Sequence, residues 1–195
     1  MADIPAAGEA PEPGPSDDPP APPPDDKDWT WVLDRPCPEC GFRAAALPPD
    51  RIAPMAIDCA EAIGAAARAP GGRRRPAPLI WSALEYACHA RDVCSITADR
   101  LALMIARDDP AFPNWDQDAT AIEDRYGTQD PARVAGELAG AAARVAAQYS
   151  AVRPDQWSRR GRRSNGSVFT VESLGRYFVH DLAHHAHDVG RPIVS

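Results

Sequence analysis

Residues 170–190 read TVESLGRYFVHDLAHHAHDVG and hold four of the chain's five histidines: His180, His184, His185 and His187. The fifth, His89, lies in the other strongly helical stretch, residues 78–109, PLIWSALEYACHARDVCSITADRLALMIARDD. Histidines confined to two helical stretches predict two helices that meet around one metal ion. His180 and His184 are four apart, so on a helix they share a face one turn from each other. Two imidazoles so placed can reach one cation at about 2.0–2.1 Å per nitrogen. His185 competes with His184 for this role, and His184 is preferred because the i,i+4 spacing converges better on His180. Leu174, Phe178, Val179, Leu182, Ala183, Ala186 and Val189 put an apolar surface beside the histidines. Thr170 serves as N-cap with Glu172 in the first turn, and Gly190-Arg191-Pro192 is the stop.

Three more helices follow from apolar residues near helical spacing. The first runs from about Pro49 to Ala69, through Ile52, Met55, Cys59 and Ile63. The second runs from about Leu79 to Arg107, with Trp81, Leu84, Cys88, Val93, Leu101 and Met104 as its apolar face and Pro110 beyond its end. The third runs from about Pro131 to Val152 and is alanine-rich, with Val134, Leu138, Val145 and Tyr149 as its stripe. The loop at 111–130 is too long to be mere connection. Ser164-Asn165-Gly166 reads as a tight turn, which predicts a small hairpin before the last helix. The fold class is all-α: a four-helix bundle with long crossover loops. His89 and His180 each fall ten residues into their predicted helices, roughly 15 Å from the start at 1.5 Å per residue. Starts at the same end of the bundle put His89, His180 and His184 at one level.

Residues 1–28 hold nine of the 22 prolines, eight acids and one base, Lys27, so they carry the whole net charge of −7. Such a stretch lacks the apolar surface to order itself, and it lacks the apolar run of a secretion signal. The ordered domain is therefore expected over 29–195, and its charges balance. That balance argues against a general nucleic-acid binder, and no apolar run is long enough to span a membrane. Trp29 and Trp31 alternate with polar residues and suit a short extended arm. Cys37 and Cys40 form a Cys-Pro-Glu-Cys knuckle, which is half of a tetrahedral zinc site or a redox pair. Cys59, Cys88 and Cys94 are scattered, so no second knuckle completes a zinc ribbon, and a structural turn is the expectation for Cys37 and Cys40. An odd number of cysteines points to a reducing, cytoplasmic setting.

The segments EYACHARDV, FPNWD and RYFVHDLAHHAHDVG together resemble the DinB-like (DinB/YfiT-like) superfamily of metal-binding four-helix bundles. The likeness spans about Trp29 to Val189 and is nearest to the actinobacterial branch that includes mycothiol-dependent maleylpyruvate isomerases. The resemblance implies a metal triad of His89, His180 and His184. Some mycothiol-dependent relatives carry a glutamate at the first position on the last helix; His180 there places the chain nearer the all-histidine members. The implied cofactor is zinc or nickel, with one coordination position open, and mycothiol is the implied thiol cosubstrate. The implied function is thiol S-transfer or thiol-assisted isomerisation, with a small-molecule thiol and an electrophile as partners. A non-catalytic metal-binding module for stress response or sensing is the alternative. Asp92, Asp181 and Asp188 are candidates to hold the far imidazole N–H groups, Glu85 to act as a further ligand or base, and Trp115, Asp116 and Asp118 to cover the open position. The alanine-rich helices also allow a homodimer.

Overall fold

The structure is a computed structural model that describes residues 27–193. The acidic segment expected to be unordered lies outside these residues, apart from Lys27 and Asp28. Four long helices form a bundle: α1 (Pro49–Arg68), α2 (Ala83–Ala106), α4 (Pro131–Ser150) and α5 (Val171–Asp188). These are the four helices expected from the sequence. α4 and α5 each pack against both α1 and α2. The long loop between α2 and α4 contains a short strand β1 (Ala111–Phe112), a helix α3 (Gln117–Glu123) and a 3-10 turn (Tyr126–Thr128). The expected hairpin is present as β2 (Arg160–Arg163) and β3 (Val168–Thr170), paired antiparallel around Gly166 at φ +98°. β1 joins β2 in parallel and completes a three-stranded sheet. Among the described residues, no helix is long and apolar enough to cross a membrane.

Small residues let the helices approach closely. A Cβ added at Gly64 of α1 would sit 3.4 Å from Ala135 Cβ of α4. At Gly175 of α5 it would sit 2.7 Å from Ile52 Cδ1 and 2.8 Å from Tyr149 Cε1, so α5 is seated directly on the α1–α4 packing. Its start is held by a reciprocal cap. Thr170 Oγ1 accepts from the Ser173 N–H at 3.0 Å, and Ser173 Oγ accepts from the Thr170 N–H at 2.9 Å. Trp29 and Trp31 fall in a 3-10 turn (Trp29–Leu33) and not in an extended arm, because Asp28 caps the turn by accepting from the Thr30 N–H. This turn lies against α5.

α2 starts with a capping box. Ser82 Oγ accepts from the Glu85 N–H at 3.2 Å, and Glu85 Oε2 accepts from the Ser82 N–H at 2.7 Å. Arg75 Nε donates to the same carboxylate at 3.0 and 3.1 Å. Glu85 is 5% exposed and is fully engaged here, so it is a structural residue and not a ligand or base. Burial works to raise its pKa, but Arg75 and Ser82 outweigh it and hold the carboxyl below its ordinary value. Breaking a buried pair leaves one charge unmatched, so Glu85→Gln should cost about 3 kcal/mol of unfolding free energy at neutral pH. The depressed carboxyl contributes stability above its unfolded pKa of about 4.3 and loses it as pH falls further. Urea titrations of both proteins should therefore converge in acid; an unchanged gap there contradicts the assignment. Gly175→Ala should lower stability by about 1–3 kcal/mol through overpacking on Ile52 and Tyr149, read in the same titration.

Candidate metal centre

One residue of helix advance is about 100° of rotation, so α5 carries two neighbouring stripes, each with its own i,i+4 pair. His180 and His184 occupy one; Asp181 and His185 occupy the other. The second stripe faces α2 and meets His89. His89 Nε2 lies 3.5 Å from Asp181 Oδ1, and His185 Nε2 lies 3.6 Å from the same oxygen. One ligand atom from each of the three falls within 4.8 Å of the others. Nitrogen and oxygen ligands at zinc bond lengths of 2.0–2.2 Å sit about 3.3–3.6 Å apart around a tetrahedral ion. The spacing therefore suits a divalent cation.

The hydrogen bonding agrees. Both ring nitrogens of His89 and Asp181 Oδ1 are buried with no hydrogen-bond partner among the described residues; the 3.5 Å approach of His89 to Asp181 is an ion-pair distance without hydrogen-bond geometry. Buried polar atoms left so are costly, and a cation would satisfy those that line its position. Trp115 stacks on the His89 ring at 5.3 Å and 16°, and Trp81 contacts it at 5.4 Å, which fixes the ring plane. Trp115 is itself held by its Nε1–H donating to Thr120 Oγ1 at 2.8 Å. His185 Nδ1 pairs with Asp188 Oδ2 at 3.0 Å. That carboxylate takes the Nδ1–H and leaves the Nε2 lone pair toward Asp181 and His89.

Electrostatics hold the Asp181 and Asp188 carboxyls ionised and keep His180 and His184 neutral. Burial works to raise the Asp181 pKa, but His89 first and then His185 and His180 outweigh it and bring it down to about 2. Burial likewise works to raise the Asp188 pKa, but His185 outweighs it and holds the carboxyl below its ordinary value. Burial lowers His180 to about 4 and also lowers His184, so both are neutral at neutral pH.

The triad expected from sequence is divided. His89 groups with Asp181 and His185, whereas His180 and His184 group with Cys37 and Cys40 of the knuckle. The physical reason is the rotation of α5 about its own axis: packing turns the Asp181/His185 stripe to α2 and the His180/His184 stripe to the N-terminal arm. His185 was expected only as a rival of His184 and Asp181 only as an acid behind an imidazole, so their pairing was missed; its signal was a second i,i+4 spacing, Asp-x-x-x-His, one residue along. His187 is 45% exposed in its side chain and belongs to neither group. Of the acids expected behind the imidazoles, Asp188 has that role. Asp92 instead pairs with Arg91 at 2.8 Å and accepts from the Tyr126 hydroxyl. Asp116 caps α3 by accepting from the Ala119 N–H at 2.9 Å, and Asp118 lines the pocket.

That pocket, of about 300 Å³, opens over both groups, with Leu79, Ile80 and Trp81 as its apolar wall. Its charged lining is four carboxylates, Glu39, Asp118, Asp181 and Asp188, and one ammonium, Lys27.

A helical bundle with histidine and carboxylate ligands on facing helices defines a class of metal-binding bundle proteins. The sequence model of the DinB superfamily matches residues 68–189, and the chain belongs to that superfamily. The fold is also similar to that of YfiT from Bacillus subtilis, described as a probable metal-dependent hydrolase with an unusual four-helix bundle topology. That likeness has a TM-score of 0.66 at 18% identity, over 73% of this chain and 83% of YfiT. No curated protein matches the chain.

Removing the carboxylate that orients His185 should weaken the centre without removing a ligand. Asp188→Asn is expected to lower divalent-cation affinity about 10–100-fold, the range for partners behind a metal-bound imidazole. Calorimetric titration of the metal-stripped protein measures it, and unchanged affinity would exclude Asp188 from this role.

Proposed function

We propose that the chain is a metal-dependent enzyme of the thiol S-transfer class, with His89, Asp181 and His185 as the ligands of a zinc or nickel ion. The observation that carries this reading is the three-ligand cluster, of which Asp181 and His185 line the pocket while His89 is buried behind them. Three protein ligands leave room for a small molecule, which is the mark of a catalytic and not a closed site. A divalent ion held there supplies Lewis acidity, which lowers the pKa of a thiol or water taking the open position. The thiol reading rests on the resemblance to the actinobacterial branch, and mycothiol, the thiol of that branch, is the proposed cosubstrate.

The chain's own groups complete the chemistry. Asp188 holds His185 in the ligating tautomer, and Trp81 and Trp115 hold His89 and shield it from water. Burial, then Asp188 and Glu85, push the Tyr86 hydroxyl up, so Tyr86 stays protonated on the pocket wall beside His185. In the transfer, the thiol proton leaves to solvent and the sulfur lone pair forms the carbon–sulfur bond. The leaving group departs with the electron pair of the bond that breaks. Cys59, Cys88 and Cys94 do not supply the sulfur: all three are buried, with the thiols of Cys59 and Cys88 pushed up to about 12 and that of Cys94 raised further by burial. The pocket lining carries four carboxylates to one ammonium, a negative excess that a divalent ion held by Asp181 would largely offset.

Untagged protein should carry metal in this centre and turn over an electrophile only with added low-molecular-weight thiol. His89→Ala and Asp181→Ala should each lose that turnover together with the metal of this centre, read by elemental analysis. Turnover of an ester or amide without thiol would replace this reading by hydrolysis. Metal without turnover in a broad thiol–electrophile screen would leave a non-catalytic binding module. Gel filtration tests the homodimer.

A further inference from the structure

We propose that Cys37, Cys40, His180 and His184 form a second site, a closed Cys2His2 zinc clamp that fastens the N-terminal arm to α5. It is distinct from the open centre and holds whether or not that centre is catalytic. The two halves lie far apart in sequence and are brought together only by the fold. The knuckle is preformed: the Cys37 N–H donates to Phe42 O at 2.9 Å, the Gly41 N–H donates to Cys37 O at 2.8 Å, and Gly41 takes φ +75° to close the turn. One ligand atom from each of the four residues lies within 4.8 Å of the others.

The geometry suits zinc. Cys37 Sγ is 3.7 Å from His184 Nδ1. A sulfur at 2.3 Å and a nitrogen at 2.0–2.1 Å from one tetrahedral zinc are about 3.6 Å apart. Cys37, His180 and His184 are 1%, 4% and 8% exposed, and His180 Nε2 has no hydrogen-bond partner among the described residues. His184 Nε2 lies 3.5 Å from Glu39 Oε2 inside the knuckle, which leaves Nδ1 for the ion and backs the imidazole with a carboxylate.

The charge also suits the buried setting. Two thiols release their protons to solvent as the dication binds, so two thiolates, two neutral imidazoles and one Zn²⁺ make a neutral unit. Without the ion, burial first, with Cys37 adding to it, pushes the Cys40 thiol up to about 11; a coordinating dication reverses that preference. Four protein ligands leave no position for substrate, so the role is structural. It follows that the arm carrying Trp29, which contacts both His180 and His184, is locked over the helix that presents Asp181 and His185.

Cobalt-substituted wild-type protein, prepared from cobalt-supplemented growth, tests this directly. We expect a sulfur-to-cobalt charge-transfer band, with Cys37 and Cys40 slow to react with a thiol reagent until a chelator is added. Cys37→Ser should abolish that band and one equivalent of zinc per chain while keeping the metal bound through His89. His89→Ala should do the reverse, so the two sites succeed or fail separately. Should Cys37→Ser not fold, the wild-type spectrum alone decides. A cobalt protein with no such band, a Cys37→Ser protein with undiminished zinc, or an intact mass showing a Cys37–Cys40 disulfide would each overturn the proposal.

Discussion

The rotation of α5 about its own axis is the constraint on which the rest of this molecule depends. A helix that bears His180, Asp181, His184 and His185 has two adjacent polar stripes that its neighbours must satisfy. α2 takes one with His89, and the N-terminal arm takes the other with Cys37 and Cys40. A turn of 100°, one residue's worth, would present the wrong pair to each neighbour. The close seating of Gly175 on Ile52 and Tyr149 opposes such a turn, because a rotated helix would drive a side chain into that contact.

The interior divides its labour accordingly. Much of the bundle is held by alanine, glycine and aliphatic packing, with α4 the most extensive partner of α1 and α2. Near the ends of α2 and α5 the packing turns polar and aromatic. There Trp29, Trp81 and Trp115 surround imidazoles and leave several ring nitrogens without hydrogen bonds. Such atoms are expensive in an apolar setting, and the same burial keeps His180 neutral. A site costly to fold without an ion is thereby prepared to bind one.

Family membership and site chemistry answer different questions here. Superfamily membership and the likeness to YfiT account for the bundle. They leave open what the pocket takes, since one fold hosts many chemistries. The lining joins an acid-rich mouth to an apolar wall of Leu79, Ile80 and Trp81. The arm and its knuckle, at 37–40, fall outside the region 68–189 matched to the superfamily, so the His180/His184 stripe meets a partner that this match does not cover.

Local chemistry made much of the fold legible in advance. Apolar spacing marked four helices to within a few residues, Thr170 declared the start of the last, and Ser164-Asn165-Gly166 declared the hairpin. The start of α2 was read too early, because its cap Ser82 and the Arg75–Glu85 pair bring together residues from either side of a loop. In the site, the sequence alone marked His180 and His184 as an i,i+4 ligand pair and Cys37 and Cys40 as half a tetrahedron; the Asp181/His185 pair lay in the same spacing but was not singled out. Which pair meets His89 and which completes the knuckle was decided only by tertiary packing. Spacing along a helix sets the angle between its side chains, but the direction in which that set of side chains points is set by the neighbours against which the helix is pressed.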